Sequence, residues 1–214
     1  YDLVGLADAI GERTRIVYIC NPNNPTGTMV GREVLSEFFE RVPEHVLTVL
    51  DEAYWEYVVH DDYPDGIRDY VLAGRSVLAL RTFSKIYGLA GLRVGYGVGP
   101  PDVISVVRKV QNAFDVTQPA QDAALASLTD KCELKRRRDA NEESRTELIA
   151  GLASCGLTPV GPAVANFVFV DVGHDAADIF ERLLHRGVIV RPMGAFGAET
   201  ALRVSVGTPE DNAV

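Results

Sequence analysis

The sequence predicts an α/β fold: a mostly parallel sheet flanked by helices, followed by a smaller C-terminal α+β domain. Three observations carry that prediction. Apolar, β-branched runs alternate with amphipathic segments of helical period through the first half of the chain, the pattern of strands joined by crossover helices. The runs are almost continuously apolar, as strands covered on both faces are. After residue 100 the alternation gives way to long helical segments, then to strands around one helix.

Taken in order, residues 2–12 place Leu3, Leu6, Ala7 and Ile10 at helical spacing and predict a short helix. Arg15-Ile-Val-Tyr-Ile-Cys20 predicts a strand. Asn21-Pro-Asn-Asn-Pro-Thr-Gly27 interrupts regular structure with two prolines and a glycine. Residues 31–42 form an amphipathic helix with Val34, Leu35, Phe38 and Phe39 expected on one face. His45–Leu50 is a second strand, ending at Asp51-Glu-Ala-Tyr54. A polar loop over 60–68 and a helical turn over 69–74 lead to a strand at 77–81, and Val94–Val98 is a further apolar run. Helices are expected over 101–111, where a proline occupies the first turn, then over 120–129 and 133–152. Strands at 165–171, 188–191 and 201–206 surround a helix at 176–186 closed by Gly187. The domain boundary falls between 118 and 145, dividing 1–118 from 119–214. No repeat or low-complexity tract is present.

Composition narrows the function classes. The chain has 214 residues, is 47% hydrophobic and 24% charged, and carries a formal net charge of -9. An acidic balance without a basic stripe argues against nucleic-acid binding. The cluster Lys135-Arg-Arg-Arg138 is followed by Glu142, Glu143 and Glu147 and reads as one face of a charged helix. No apolar run approaches the ~20 residues that span a bilayer, and the first residues do not form a signal peptide. Three well-separated cysteines, Cys20, Cys132 and Cys155, fit a reducing cytoplasm and show no metal-ligand spacing. The four histidines make no ligand pair.

The chemistry centres on Thr82-Phe-Ser-Lys85-Ile-Tyr-Gly-Leu-Ala-Gly-Leu-Arg93, between two apolar runs. A lysine at the end of a buried strand is placed to lose hydration, which favours the neutral, nucleophilic amine of a Schiff-base lysine. Arg93 offers a planar fork matched to a phosphate. Together they suggest pyridoxal phosphate, although a Ser-Lys pair in a loop also fits a solvated surface lysine. Asp51, held against a pyridine nitrogen, would keep it protonated; it could equally cap a helix. Asn24 and Tyr54 could hydrogen-bond a ring hydroxyl, against turn chemistry for Asn24 and core packing for Tyr54. Thr82, Ser84 and Arg93 are candidates for a cofactor phosphate. Arg203, between Leu202 and Val204, needs an anionic partner if buried, such as a substrate carboxylate; a structural ion pair is the alternative. Arg191 is a second candidate of that kind. In parallel sheets the ligand lies beyond the carboxyl ends of the strands, and Asn24, Asp51 and Lys85 each follow such an end.

These motifs, in this order and spacing, resemble the fold-type I, class I/II pyridoxal-phosphate aminotransferases over the whole chain. The resemblance implies that residues 1–118 are the C-terminal part of a large cofactor-binding domain. It further implies that Lys85 binds the cofactor covalently and then carries the proton, and that Asp51 pairs with the pyridinium. Asn24 and Tyr54 would contact the ring oxygen, Thr82, Ser84 and Arg93 the phosphate, and Arg203 the substrate α-carboxylate. Gly88-Leu-Ala-Gly-Leu-Arg93 and Leu202–Asn212 are most similar to the histidinol-phosphate aminotransferases, which exchange an amino group between L-histidinol phosphate and 2-oxoglutarate. Arg191 would then share the substrate phosphate with Arg203. Aromatic amino-acid aminotransferases share these motifs, a threonine-phosphate decarboxylase fits the lysine segment less well, and a ligand-sensing module or inactive fragment is the reading from another class. Such enzymes run to about 350 residues, longer than one ordinary domain. A preceding segment is therefore expected, with phosphate-binding amides and a ring-stacking aromatic, and this piece alone is expected to be unstable or inactive. A homodimer acting on small amino and oxo acids is expected of the complete form.

Overall fold

A computed structural model describes residues 1–213. They divide into two compact units: residues 1–22 with 30–134, and residues 23–29 with 135–213.

The first unit starts with helix α1 (Leu3–Asp8), opened by the Asp2 carboxylate accepting from the Gly5 amide. It is shorter than the sequence suggests, because the chain turns at Ala9 before Gly11. Strand β1 (Ile16–Cys20) follows, then helix α2 (Arg32–Arg41) and strand β2 (Leu47–Asp51). Leu35, Phe38 and Phe39 bury one face of α2, whereas Val34 is exposed. Val34 is about 100° round the helix from Leu35, which turns it off the buried stripe. Strand β3 (Val77–Thr82) and strand β4 (Gly95–Val98) complete a sheet of order β1-β2-β3-β4. The first three strands are parallel, and β4 runs antiparallel to β3. At β4 only glycine fits position 95, since a Cβ there would lie 2.8 Å from the Arg81 carbonyl oxygen.

Between β2 and β3 the chain forms a π-helical turn, Gly66–Val71, rather than a turn over 69–74. It begins early because Asp65 accepts from the Ile67 and Arg68 amides and Glu52 accepts from the Gly66 amide. The core beneath the sheet joins Leu3, Ile19, Leu35, Phe38, Phe39, Leu50 and Val77. Each such side chain contributes about 1.5–3 kcal/mol on burial. Helices α3 (Pro101–Val110) and α4 (Gln118–Thr129) follow, and α5 (Lys131–Ser154) begins at the end of this unit.

The second unit holds most of α5, strand β5 (Phe167–Asp171), helix α6 (Ala176–Leu184), strands β6 (Arg191–Met193) and β7 (Ala198–Ser205), and the short helix α7 (Pro209–Asn212). Its sheet has the order β5-β7-β6, with both pairs antiparallel. The strand expected at 188–191 starts only at Arg191. Gly187, at positive φ, donates to the Leu184 carbonyl and Val188 to the Leu183 carbonyl, so Val188 belongs to the helix cap. The segment 23–29 belongs here as well. Its Gly27 lies at φ +73 with Phe167 O 2.9 Å from where a Cβ would stand, and its Thr28 bridges Ala163.

Candidate active site

The first unit gathers most of the predicted site residues at the carboxyl edge of its sheet. Asp51 ends β2 and pairs in register with Leu80, two positions before Thr82 at the end of β3. An Asp51 oxygen accepts from the Ala53 amide at 3.1 Å, and among the described residues no ion pair engages it. Tyr54 is buried, at 4% exposure, and the Lys85 Nζ lies 5.0 Å from the centre of its ring. Thr82 accepts from the Ser84 amide at 3.0 Å, which bends the chain between strand and lysine. Thr82, Ser84 and Arg93 line one cleft of about 390 Å³ with Leu80, Arg81 and Tyr96. Arg93 adopts the left-handed conformation, φ 51 and ψ 49, and donates to the Ala90 carbonyl at 2.9 Å. A non-glycine residue held there stores of order 1 kcal/mol of strain, as functional positions often do.

Within this chain the Lys85 side chain is exposed. Past β3 the chain bends at 83–85, with Phe83 and Ile86 buried on either side of Ser84 and Lys85.

The second unit carries the other three. Asn21 is a structural clamp of the first unit, with its side chain paired to both Val30 backbone groups at 2.9 and 3.0 Å. Asn23 donates to the Thr26 hydroxyl. That leaves Asn24 as the exposed polar side chain of the second unit's loop. Arg203 donates to Asn24 Oδ1 at 2.7 Å and lies 4.9 Å above the Phe167 ring. Its Nε is enclosed and without a partner, although the residue as a whole is only half-buried. Since Oδ1 faces Arg203, the Asn24 amide nitrogen is the free, donating end. Arg191 is exposed, with its guanidinium 5.8 Å from the Phe196 ring, and pairs across the sheet with Arg203. Directly opposed residues share a face of the sheet, so both arginines rise from the same side of it.

Sequence reasoning missed Phe167, read only as part of an apolar strand. It also missed a buried ionic cluster in the first unit. Arg81 donates to Glu52 at 2.9 Å and to Asp65 at 2.8 Å, and its guanidinium stacks 3.8 Å from the Trp55 ring. The available signal was a charged residue, Arg81, inside an otherwise apolar strand. Burial raises the Glu52 carboxyl to about 7, even though Arg81 and the Gly66 amide pull it down.

The whole chain, residues 1–214, matches the family described as aminotransferase class I and II. The chain belongs to that family. The chain is 50% identical, over 99% of its length, to a histidinol-phosphate aminotransferase of Moorella thermoacetica, of which it covers 55%. It is 47% identical to an aromatic amino acid aminotransferase of Nocardia farcinica, matching 99% of this chain and 58% of that one. Among solved structures, the histidinol-phosphate aminotransferase of Sinorhizobium meliloti in complex with pyridoxal-5'-phosphate superposes with a TM-score of 0.90 at 35% identity. That match covers 99% of this chain and 58% of the other. The chain thus spans little more than half the length of the relatives it matches. The aminotransferase fold, a mixed sheet flanked by helices, is the one found here.

Proposed function

We propose that this chain contributes most of the cofactor- and substrate-binding residues of a pyridoxal-phosphate-dependent histidinol-phosphate aminotransferase. Residues 1–118 are read as the C-terminal part of its large domain and 119–214 as interdomain helices and small domain. The observation that carries the substrate reading is the pair of cross-strand arginines, Arg191 and Arg203. The second has a free, enclosed Nε, and together they offer two cationic forks to a substrate that bears a phosphate in one half-reaction and carboxylates in the other.

The residues of the first unit fit the cofactor. Among the described residues no ion pair engages Asp51, so its carboxylate would be available to a pyridinium nitrogen. Ser84 and Arg93 share a cleft with Thr82, and the Arg93 fork suits a phosphate. Lys85 lies beside Tyr54 with no carboxylate paired to it among the described residues, which leaves its amine free for covalent attachment. Bound pyridoxal phosphate supplies an electron sink for the substrate α-carbon. Lys85 would be the group that holds it covalently and that moves the proton at the substrate α-carbon. Asn24 would present its amide nitrogen to the ring oxygen while its own oxygen orients Arg203. Tyr54 holds its ring against the Lys85 amine.

The complete protein is read as a cytoplasmic homodimer acting on small molecules. No described helix is long and apolar enough to cross a membrane, and among the described residues the three cysteines form no disulfide. The Nocardia relative favours a second reading, an aromatic amino-acid aminotransferase. Absorbance of the cofactor-loaded protein, followed after adding L-histidinol phosphate or phenylalanine, separates the two. Rapid bleaching with histidinol phosphate alone supports the first reading, and bleaching with phenylalanine alone replaces it with the second. No change with either contradicts both.

A further inference from the structure

Arg81 sits inside β3, one residue before Thr82 and four before Lys85, and is buried. Its side chain leaves the opposite face of the sheet from Leu80 and Thr82, because successive strand residues alternate. There Nε donates to Glu52 Oε2 at 2.9 Å, and Nη2 donates to Asp65 Oδ1 at 2.8 Å. The guanidinium carbon lies 3.8 Å from the Trp55 ring. Each partner is itself held. Glu52 Oε1 accepts from the Gly66 amide at 2.8 Å, and Asp65 Oδ1 also accepts from the Ile67 and Arg68 amides. The Trp55 amide donates to the Glu52 carbonyl at 3.0 Å. Glu56, buried in the short helical turn Trp55–Tyr57, takes no hydrogen bond from Arg81.

Chain continuity ties this cluster to the cofactor site. Glu52 follows Asp51, Trp55 follows Tyr54, and Arg81 precedes Thr82, whose hydroxyl accepts from the Ser84 amide at 3.0 Å. The Glu52 amide donates to the Leu80 carbonyl at 2.9 Å, which joins β2 to β3 at the same level. Lys85 Nζ in turn lies 5.0 Å from the centre of the Tyr54 ring. We propose that Arg81 is a positioning residue: with Glu52, Asp65 and Trp55 it clamps the ends of β2 and β3 together and so fixes Asp51 and Tyr54 relative to Lys85. A guanidinium suits the place, since it donates in two directions while its plane stacks on an aromatic ring. Lysine offers a point charge that neither forks nor stacks. Glutamine at 52 fails for the complementary reason: both Glu52 oxygens accept, whereas one end of an amide side chain donates. Misplacing a reacting group by about 1 Å costs up to about 10²-fold, so a clamp behind the sheet acts on the site without touching it.

The role rests on reading Lys85 as the lysine that attaches pyridoxal phosphate. The test uses the protein encoded by the complete reading frame. It measures affinity for pyridoxal phosphate, the pH midpoint of the bound cofactor's absorbance band, and the melting temperature of the cofactor-free form. Arg81→Lys and Glu52→Gln should each bind the cofactor roughly tenfold more weakly, the loss expected on breaking one buried hydrogen bond, and should shift that midpoint. Trp55→Leu leaves every ion pair of the cluster in place and should move both readouts in the same direction, so it carries the test if the other two variants do not fold. Leu35→Ala, in the core beneath the same sheet, should lower the melting temperature but leave affinity and midpoint unchanged. An equal loss of affinity in Leu35→Ala would overturn the positioning role, because general stability would then account for the effect. Unchanged affinity and midpoint in the three cluster variants, whatever their melting temperatures, would overturn it too while leaving the aminotransferase reading intact. Failure of the unaltered protein to bind the cofactor would overturn both.

Discussion

Arg203 holds its place through a ring and an amide, not through a carboxylate. Phe167 supports the guanidinium from below and Asn24 accepts one of its protons, so the remaining donors keep a fixed direction. Lysine could not reproduce that arrangement, because its ammonium neither stacks as a plane nor grips bidentately. Arg203→Lys is therefore expected to lower kcat/KM by about 10²-fold for phosphate- and carboxylate-bearing substrates alike, a loss that steady-state kinetics on both would reveal. Arg191→Ala should act selectively, raising KM for histidinol phosphate more than for glutamate. Equal effects on the two substrates would remove its assigned role. The places of Lys85 and Asp51 at the ends of β3 and β2 were legible in the sequence because each lies in a contiguous motif behind an apolar run. The Asn24–Arg203 bond was not legible as a pair, since the partners are 179 residues apart and no local pattern couples them.

Elements explain why those residues stand where they do. Strand β4 reaches β3 closely enough that Gly95 faces the Arg81 carbonyl at a distance no Cβ tolerates. Gly95→Ala should destabilise the protein by about 1–3 kcal/mol, read as a lowered midpoint in urea unfolding. An unchanged midpoint would mean that the β3–β4 approach is looser than described. Helix and strand types followed from hydrophobic period, and most boundaries lay close to expectation. The departures have local causes: the capped π-helical turn at Gly66, driven by Asp65 and Glu52, and the delay of β6 by the cap at Gly187 and Val188. Both depend on hydrogen bonds to backbone amides, which residue periodicity does not encode.

At the scale of the molecule, the cluster around Arg81 makes stability depend on pH. Glu52 and Glu56 are both raised from 4.5 to about 7 by burial. A carboxyl that holds its proton more tightly when folded stabilises the protein fully below pH 4.5. The contribution then falls as pH rises and is gone above about 7. A shift of that size corresponds to at most about 3 kcal/mol for each group. Unfolding midpoints measured between pH 5 and 8 should decline across that window, and the decline should shrink in Glu56→Gln. A stability that rises through the same window would contradict the assignment.

The central claim is that Lys85 is the residue that attaches the cofactor. The most direct measurement is to load the protein from the complete reading frame with pyridoxal phosphate, reduce it with borohydride, and map the modified peptide by mass spectrometry. The account predicts one pyridoxyl group, on Lys85, and none in the Lys85→Ala variant. A stable label on another lysine, or none at all, would contradict it.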